Sequence, residues 1–248
     1  MERMASPQVE RSHYFGRYDS FGRFASYWHQ IEETSALGGR IVEVGIGNGT
    51  VAAVLRARGF DVTTVDIDPQ LNPGVVADVR KLPFAAGAFD TVLVAEVLEH
   101  IPWEDVPVAL GEIARVATRG VVASVPNADV ALTLQAYLPN AIQILRMALR
   151  RRLPLRHALW ALSQRGSWRR SGGLVRELAE VGPLHSSKPP ACDQHFWELG
   201  LNGVGKDEFL AVLEACNLGL VRDFRAPEFP YHHFFVLVVA TDRANSAE

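Results

Sequence analysis

Cysteine is nearly absent: Cys192 and Cys216 are the only two in 248 residues, and they form neither a CxxC pair nor a zinc-ligand set. That excludes a disulfide framework and a cysteine metal knuckle, and it fits a reducing cytoplasm. Long apolar runs are also lacking, since none reaches the roughly 18 residues of a spanning helix. The first residues, MERMASPQVERSHYFGRYDS, hold no apolar stretch of the length that a secretory signal needs, so export is not expected. An excess of positive charge is missing too. With 25 Lys and Arg against 28 Asp and Glu the formal net charge is -3, whereas a domain built to neutralise phosphates carries a basic balance. No nucleic-acid partner is expected.

What is present is an ordinary globular balance, 48% hydrophobic and 21% charged, enough to bury a sizeable core. From Gly39 to Asn127 short β-branched runs alternate with helical patterns, the signature of sequential βαβ units and a parallel sheet. The strand candidates are RIVEVG, DVTTVD, GVVADV, FDTVLVAE and GVVASV. TVAAVLRARG has helical spacing and ends at Gly59. EDVPVALGEIARVATRG opens with acids and closes on Arg119 and Gly120, which suits a helix dipole and a glycine cap. Residues 13–36 are aromatic and amphipathic, predicting a helix or two that lean on the sheet edge, with Tyr14, Tyr18, Arg23, Tyr27 and Trp28 placed to roof a pocket. Beyond Asn127 strand signals stop until GKDEFLAVLEACNLG, a helix, then LGLVRDFRA and HHFFVLVVA, two strands. We therefore read one domain: a helical segment at 1–38, a core at 39–127, a helical insertion at 128–202 and the rest of the core at 203–248.

Within IVEVGIGNGT a buried strand runs into a glycine-rich turn and then a helix, the context that makes such a motif informative. Gly45, Gly47 and Gly49 let backbone approach a ligand at the strand's carboxyl end. Thr50 stands where a dinucleotide fingerprint has its third glycine, which disfavours diphosphate binding. Asp66, about twenty residues on, ends the second strand, where a carboxylate accepts from ribose hydroxyls. Asp78 ends the third, within reach of an adenine amine. FDTVLVAEVLEHI carries the fourth strand into Ala95–His100, beside the reactive end of a ligand.

These pieces, EVGIGNG, VDID, ADVRKLPF and FDTVLVAEVLEHI, stand in the order and spacing of the class I S-adenosylmethionine-dependent methyltransferases, and residues 40–127 resemble the small-molecule branch related to quinone biosynthesis. The resemblance implies a Rossmann-like α/β fold: seven strands, mostly parallel, the last antiparallel, helices on both faces, and an insertion after the fifth strand. It implies S-adenosyl-L-methionine as cofactor. Glu43 with Gly45, Ile46, Gly47, Asn48 and Gly49 would hold the methionine part, Asp66 and Ile67 the ribose, Asp78 and Val79 the adenine. Ala95 and Glu96 would flank the sulfonium.

A sulfonium methyl is already electrophilic, so transfer chiefly needs an acceptor lone pair held in line with it. For a hydroxyl acceptor a histidine base helps, and His100 and His195 are the candidates. Structural roles compete in both cases: His100 within its motif, His195 in a loop anchored by Phe196 and Trp197. Asp193, His195 and Glu198 are of metal-ligand type, but three residues so close seldom complete a site, and no metal is expected. Residues 141–180 hold nine arginines against Glu177 and Glu180. Such a patch is a solvated face, a site for an anionic acceptor, or a surface for anionic lipid. The function expected is methyl transfer to a small molecule, a sugar or secondary metabolite among the options, with oxygen favoured. A peptide acceptor, a silent cofactor-binding scaffold and a nicotinamide oxidoreductase are the competing readings; Thr50 and Asp78 speak against the last.

Overall fold

The computed structural model describes residues 11–15, 19–129, 195–201 and 203–240. Seven strands form one sheet: β1 Ile41–Val44, β2 Val62–Asp66, β3 Val75–Val76, β4 Phe89–Ala95, β5 Ala117–Pro126, β6 Leu218–Ala226 and β7 Phe229–Val239, in the order β3-β2-β1-β4-β5-β7-β6. Strands β3 to β5 across the sheet are parallel, and β7 runs antiparallel to both β5 and β6. The expected sheet, seven strands with the last antiparallel, is the one found. Strand β1 lies between β2 and β4 with Val42 level with Thr63 and Val92. All four of its residues are buried, as a central parallel strand covered on both faces requires.

Helices α2 (Phe21–Leu37) and α3 (Thr50–Ala57) cover one face, where Ile31, Leu55, Val122 and Phe234 share a core. Helices α4 (Val106–Val116) and α5 (Lys206–Ala215) cover the other with Leu110, Ile113, Phe209 and Phe235. Full burial of one such side chain is worth roughly 1.5–3 kcal/mol. A single turn, α1 (Arg11–Tyr14), precedes α2.

Three expectations change. Helix α2 crosses β4, β5 and β7 on the sheet's face rather than its edge, because Ser26, Gln30, Ile31, Glu33 and Thr34 give it a buried side of its own. Helix α4 stops at Val116; Ala117 turns to extended backbone and pairs with Phe89, so Arg119 and Gly120 are strand residues and not a cap. The third strand shrinks to two residues, since Asp78 caps a turn by accepting from Arg80 N at 2.9 Å.

The chain returns to the core at His195. Trp197 is fully buried, donates Nε1–H to the Leu98 carbonyl at 3.1 Å, and meets Trp103 edge-on at 4.9 Å. Phe196 N donates to Glu99 O and Leu199 N to Pro126 O. The remainder of the expected helical insertion, with its arginines, Tyr18, Cys192 and Asp193 lie outside the described residues. Among the described residues no helix is long and apolar enough to cross a membrane.

Candidate active site

A cavity of about 570 Å³ opens at the carboxyl ends of β1, β2 and β4. Of the fourteen residues anticipated for cofactor or catalysis, thirteen line it; Gly49, in the left-handed region at φ 76°, instead caps α3.

At one end is the glycine turn. Gly45 has φ 84°, and a Cβ there would lie 2.3 Å from Val97 Cγ2, so no side chain fits. The turn is held from outside by Asp66, whose Oδ2 accepts from Ile46 N and whose Oδ1 accepts from Asp68 N, each at 2.9 Å. Burial raises the Asp66 pKa, and those backbone donors offset part of the rise. Asn48 donates to Asp19 and to the Tyr27 hydroxyl, which ties the turn to α2. Glu43, buried beneath the turn, has its pKa pushed up to about 8 by desolvation, against the opposing charge of Arg56. Its Oε2 has no hydrogen-bond partner among the described residues.

Asp78 borders the same end, but its carboxylate is engaged by the Arg80 guanidinium at 2.5 to 3.2 Å. Burial alone would raise its pKa; the Arg80 hydrogen bonds and charge outweigh that and hold it below the usual range. Asp105 accepts from the same arginine at 2.6 Å.

The other end is walled by β4, β7 and the returning segment. Glu96 follows β4 in the left-handed region, φ 53°, which is strained for a residue with a Cβ. Its Oε1 accepts from Ser124 Oγ at 2.7 Å, and its Oε2 is 3.4 Å from His232 Nε2. Burial pushes the Glu96 pKa up to about 7, against the Ser124 hydrogen bond and the charge of Arg23. His232, buried and held well below the ordinary histidine value by desolvation, meets Ser26 Oγ at 2.7 Å through Nδ1. His195 Nδ1 is 2.9 Å from Glu198 Oε1, and Tyr231 donates to the same oxygen at 2.6 Å. A carboxylate only accepts, so Nδ1 carries the proton of this bond. The His100 and His195 rings stand edge-on, 4.9 Å between centroids.

Tyr14, Arg23 and Tyr27 line the cavity as anticipated for a roof, whereas Trp28 is 56% exposed and lies under Arg58. Tyr231, His232 and Ser26 escaped the sequence reading as site residues, and Glu198 was weighed there only as a metal-ligand type. The one available signal was two adjacent histidines opening an apolar strand: alternation sends one to each face, His232 to the cavity and His233 to Asp223. Of the ligand-type residues Asp193, His195 and Glu198, the first lies outside the described residues, and Glu198 is engaged by His195 and Tyr231.

Residues 42–125 match the family model described as a methyltransferase domain. An uncharacterised methyltransferase from Mycobacterium sp. (strain KMS) is 33% identical over 94 residues, 34% of this chain and 37% of that one. A ubiquinone biosynthesis O-methyltransferase from Pseudomonas paraeruginosa is 32% identical over 88 residues, 29% of this chain and 38% of that one. The matches thus span little more than a third of these curated relatives. Among solved structures, the fold is similar to that of the 1,6-didemethyltoxoflavin-N1-methyltransferase of Burkholderia thailandensis with bound S-adenosylhomocysteine, at TM-score 0.55 and 16% identity, covering 93% of this chain and 85% of that one. The magnesium protoporphyrin IX methyltransferase of Synechocystis PCC 6803 is similar at TM-score 0.51 and 16% identity, covering 92% and 91%.

Proposed function

We propose that this chain, whose residues 42–125 form a methyltransferase domain, transfers a methyl group from S-adenosylmethionine to a hydroxyl of a small molecule. The observation that carries the reading is one continuous cavity with a glycine-rich turn and Asp66 at one end, and Glu96, His195 and Tyr231 at the other.

The residues present fit the cofactor. The backbone at Gly45 to Gly47 admits close approach, and the unpartnered Glu43 Oε2 supplies a buried acceptor for an ammonium group. Asp66 keeps lone pairs beyond its two backbone bonds for ribose hydroxyls. Asp78 contributes less directly, as the anchor of Arg80, and the Val79 backbone is the nearer candidate for the adenine edge. The bound cofactor supplies an electrophilic methyl on a sulfonium; the protein's task is to place a lone pair in line with it.

His195 performs the proton step. Glu198 fixes its tautomer so that Nε2 faces the cavity as the base for an acceptor hydroxyl, an arrangement in which the carboxylate orients the ring. Tyr231 fixes Glu198 in turn, and its own proton is held tightly, since burial and the Glu198 carboxylate push its pKa far up. The neighbours named for small acceptors, 1,6-didemethyltoxoflavin and magnesium protoporphyrin IX, are consistent with a small-molecule acceptor.

The test is calorimetric titration with S-adenosylmethionine, S-adenosylhomocysteine and NAD, repeated on Asp66→Ala. Saturable binding of both adenosyl ligands, weakened at least tenfold by the substitution, is expected; binding of NAD alone would overturn the reading.

A further inference from the structure

The strand order β3-β2-β1-β4 sets the direction in which an adenosyl cofactor lies: sulfur toward β4, ribose at Asp66 after β2, and base over the turn that follows β3. That turn holds Asp78, Val79 and Arg80, and all three line the cavity. A bare carboxylate at Asp78 would accept from the exocyclic amine of adenine. Here its acceptor positions are already filled. Oδ1 takes Arg80 N at 2.9 Å and Arg80 Nε at 3.0 Å, and Oδ2 takes Arg80 Nη2 at 2.5 Å and Nε at 3.2 Å. A carboxylate offers about four lone-pair sites, and these bonds occupy all of them.

We infer that Arg80 sets the base specificity of this site: it closes Asp78 to the amine and turns the base corner from an acceptor into a donor, so that the site admits purines that lack the 6-amine as readily as adenine. The inference rests on the reading of the cavity as a cofactor site.

The closure is locked from both sides. Arg80 N bonds the Asp78 carboxylate and Lys81 N bonds the Asp78 carbonyl, each at 2.9 Å, so a backbone turn fixes the acid before the guanidinium is counted. The far end of the guanidinium is held as well, because Nη1 donates to Asp105 at 2.6 Å. Asp105 stands directly before α4, yet its side chain makes no capping bond to that helix and serves Arg80 instead. An incoming amine would have to displace a charge-assisted pair with a neutral donor, the weaker of the two partners. The Arg80 bonds also hold the Asp78 carboxyl below its usual range against the effect of burial, which keeps it an ionised partner.

What the corner offers a base is then donors. A guanidinium has five N–H groups; the bonds to Asp78 and Asp105 engage Nε and one hydrogen on each terminal nitrogen, which leaves one hydrogen on Nη1 and one on Nη2 for a ligand. Such donors suit a ring nitrogen of a purine. They have nothing to offer the hydrogens of an amine.

The experiment compares, by calorimetric titration of the full chain, S-adenosylhomocysteine with its analogue in which hydrogen replaces the 6-amine. A hydrogen bond from the amine to a free carboxylate is worth at least about tenfold in affinity. Discrimination below about tenfold is therefore expected, and a larger preference for the amine overturns the inference. Arg80→Ala, checked by thermal unfolding, uncovers Asp78 and should raise the preference for the amine at least about tenfold over the parent; a smaller rise overturns the role of Arg80. If that variant does not fold, Arg80→Lys takes its place under the same criterion, since an ammonium cannot span both carboxylate oxygens as the planar fork does. Failure of both ligands to bind the parent is the failure of the methyltransferase reading, and the inference falls with it. Selective binding of the amine form leaves that reading standing and removes only the assignment of Arg80.

Discussion

The two ends of the cavity are built differently. The cofactor end comes from residues 43–80, three neighbouring strands and the turns that follow them, with Asp66 binding the very turn it faces. The acceptor end gathers Arg23 and Ser26 from α2, Glu96 to His100 after β4, His195 and Glu198 from the returning segment, and Tyr231 and His232 from β7. The first is held by short-range backbone geometry, the second by side chains that meet only when the whole sheet is assembled. A ligand site of the first kind tolerates damage far away; one of the second kind does not.

The sharpest way to break that contrast is Trp197→Ala. Removing a fully buried indole between Trp103 and Phe209 is expected to cost about 3–5 kcal/mol in chemical denaturation. Acceptor binding should be lost, yet S-adenosylhomocysteine affinity should stay within about threefold of the parent under conditions where the variant remains folded, as independent sites usually behave. A proportional fall in affinity would show the two ends to be one unit. Gly45→Val is the reciprocal change. With φ 84° and Val97 at 2.3 Å, it should abolish S-adenosylhomocysteine binding and cost roughly 1–3 kcal/mol of stability.

Those two substitutions also divide what could be read from the amino-acid sequence. Gly45, Asp66 and the strand ends were legible because their signals are local: a glycine run after a buried strand, an acid some twenty residues on. Asp78 was placed correctly but misjudged in its partner, since nothing in ADVRKLPF says that Arg80 folds back on it. Ser26 and Gln30 read as ordinary positions on an amphipathic helix, and only the crossing of α2 over β7 makes them buried neighbours of His232. The length of the third strand and the end of α4 were missed because pairing with β2 and β4 decides them, and not propensity.

Glu43 tests the contrast through pH. Its pKa is raised on folding from the ordinary carboxyl value to about 8, so the folded state holds a proton that the unfolded chain gives up. Stability from this group is therefore full below about pH 4.5 and is lost progressively as pH rises toward 8. Glu43→Gln should flatten the decline between pH 5 and 8, by on the order of 1 kcal/mol or more in urea unfolding followed across that range. An unchanged slope would mean that the orphaned oxygen is already compensated.

The smallest effect is expected at Tyr231→Phe. Loss of its hydrogen bond to Glu198 should cost about 1 kcal/mol and leave S-adenosylhomocysteine binding unaltered. A change in cofactor affinity here would erase the distinction between the ends.

One element nevertheless touches both. Near its start, α2 reaches the glycine turn through Tyr27 and Asn48, while Ser26, the adjacent residue, reaches His232 on the opposite wall. Neighbours on a helix diverge by about 100°, so this rod stands between the two ends like an axle between two wheels. Rolling it by a fraction of a turn moves both hydrogen bonds at once. The glycine turn and the histidine wall therefore share one support, and a displacement of either hydrogen-bonded residue on that helix is a displacement of both.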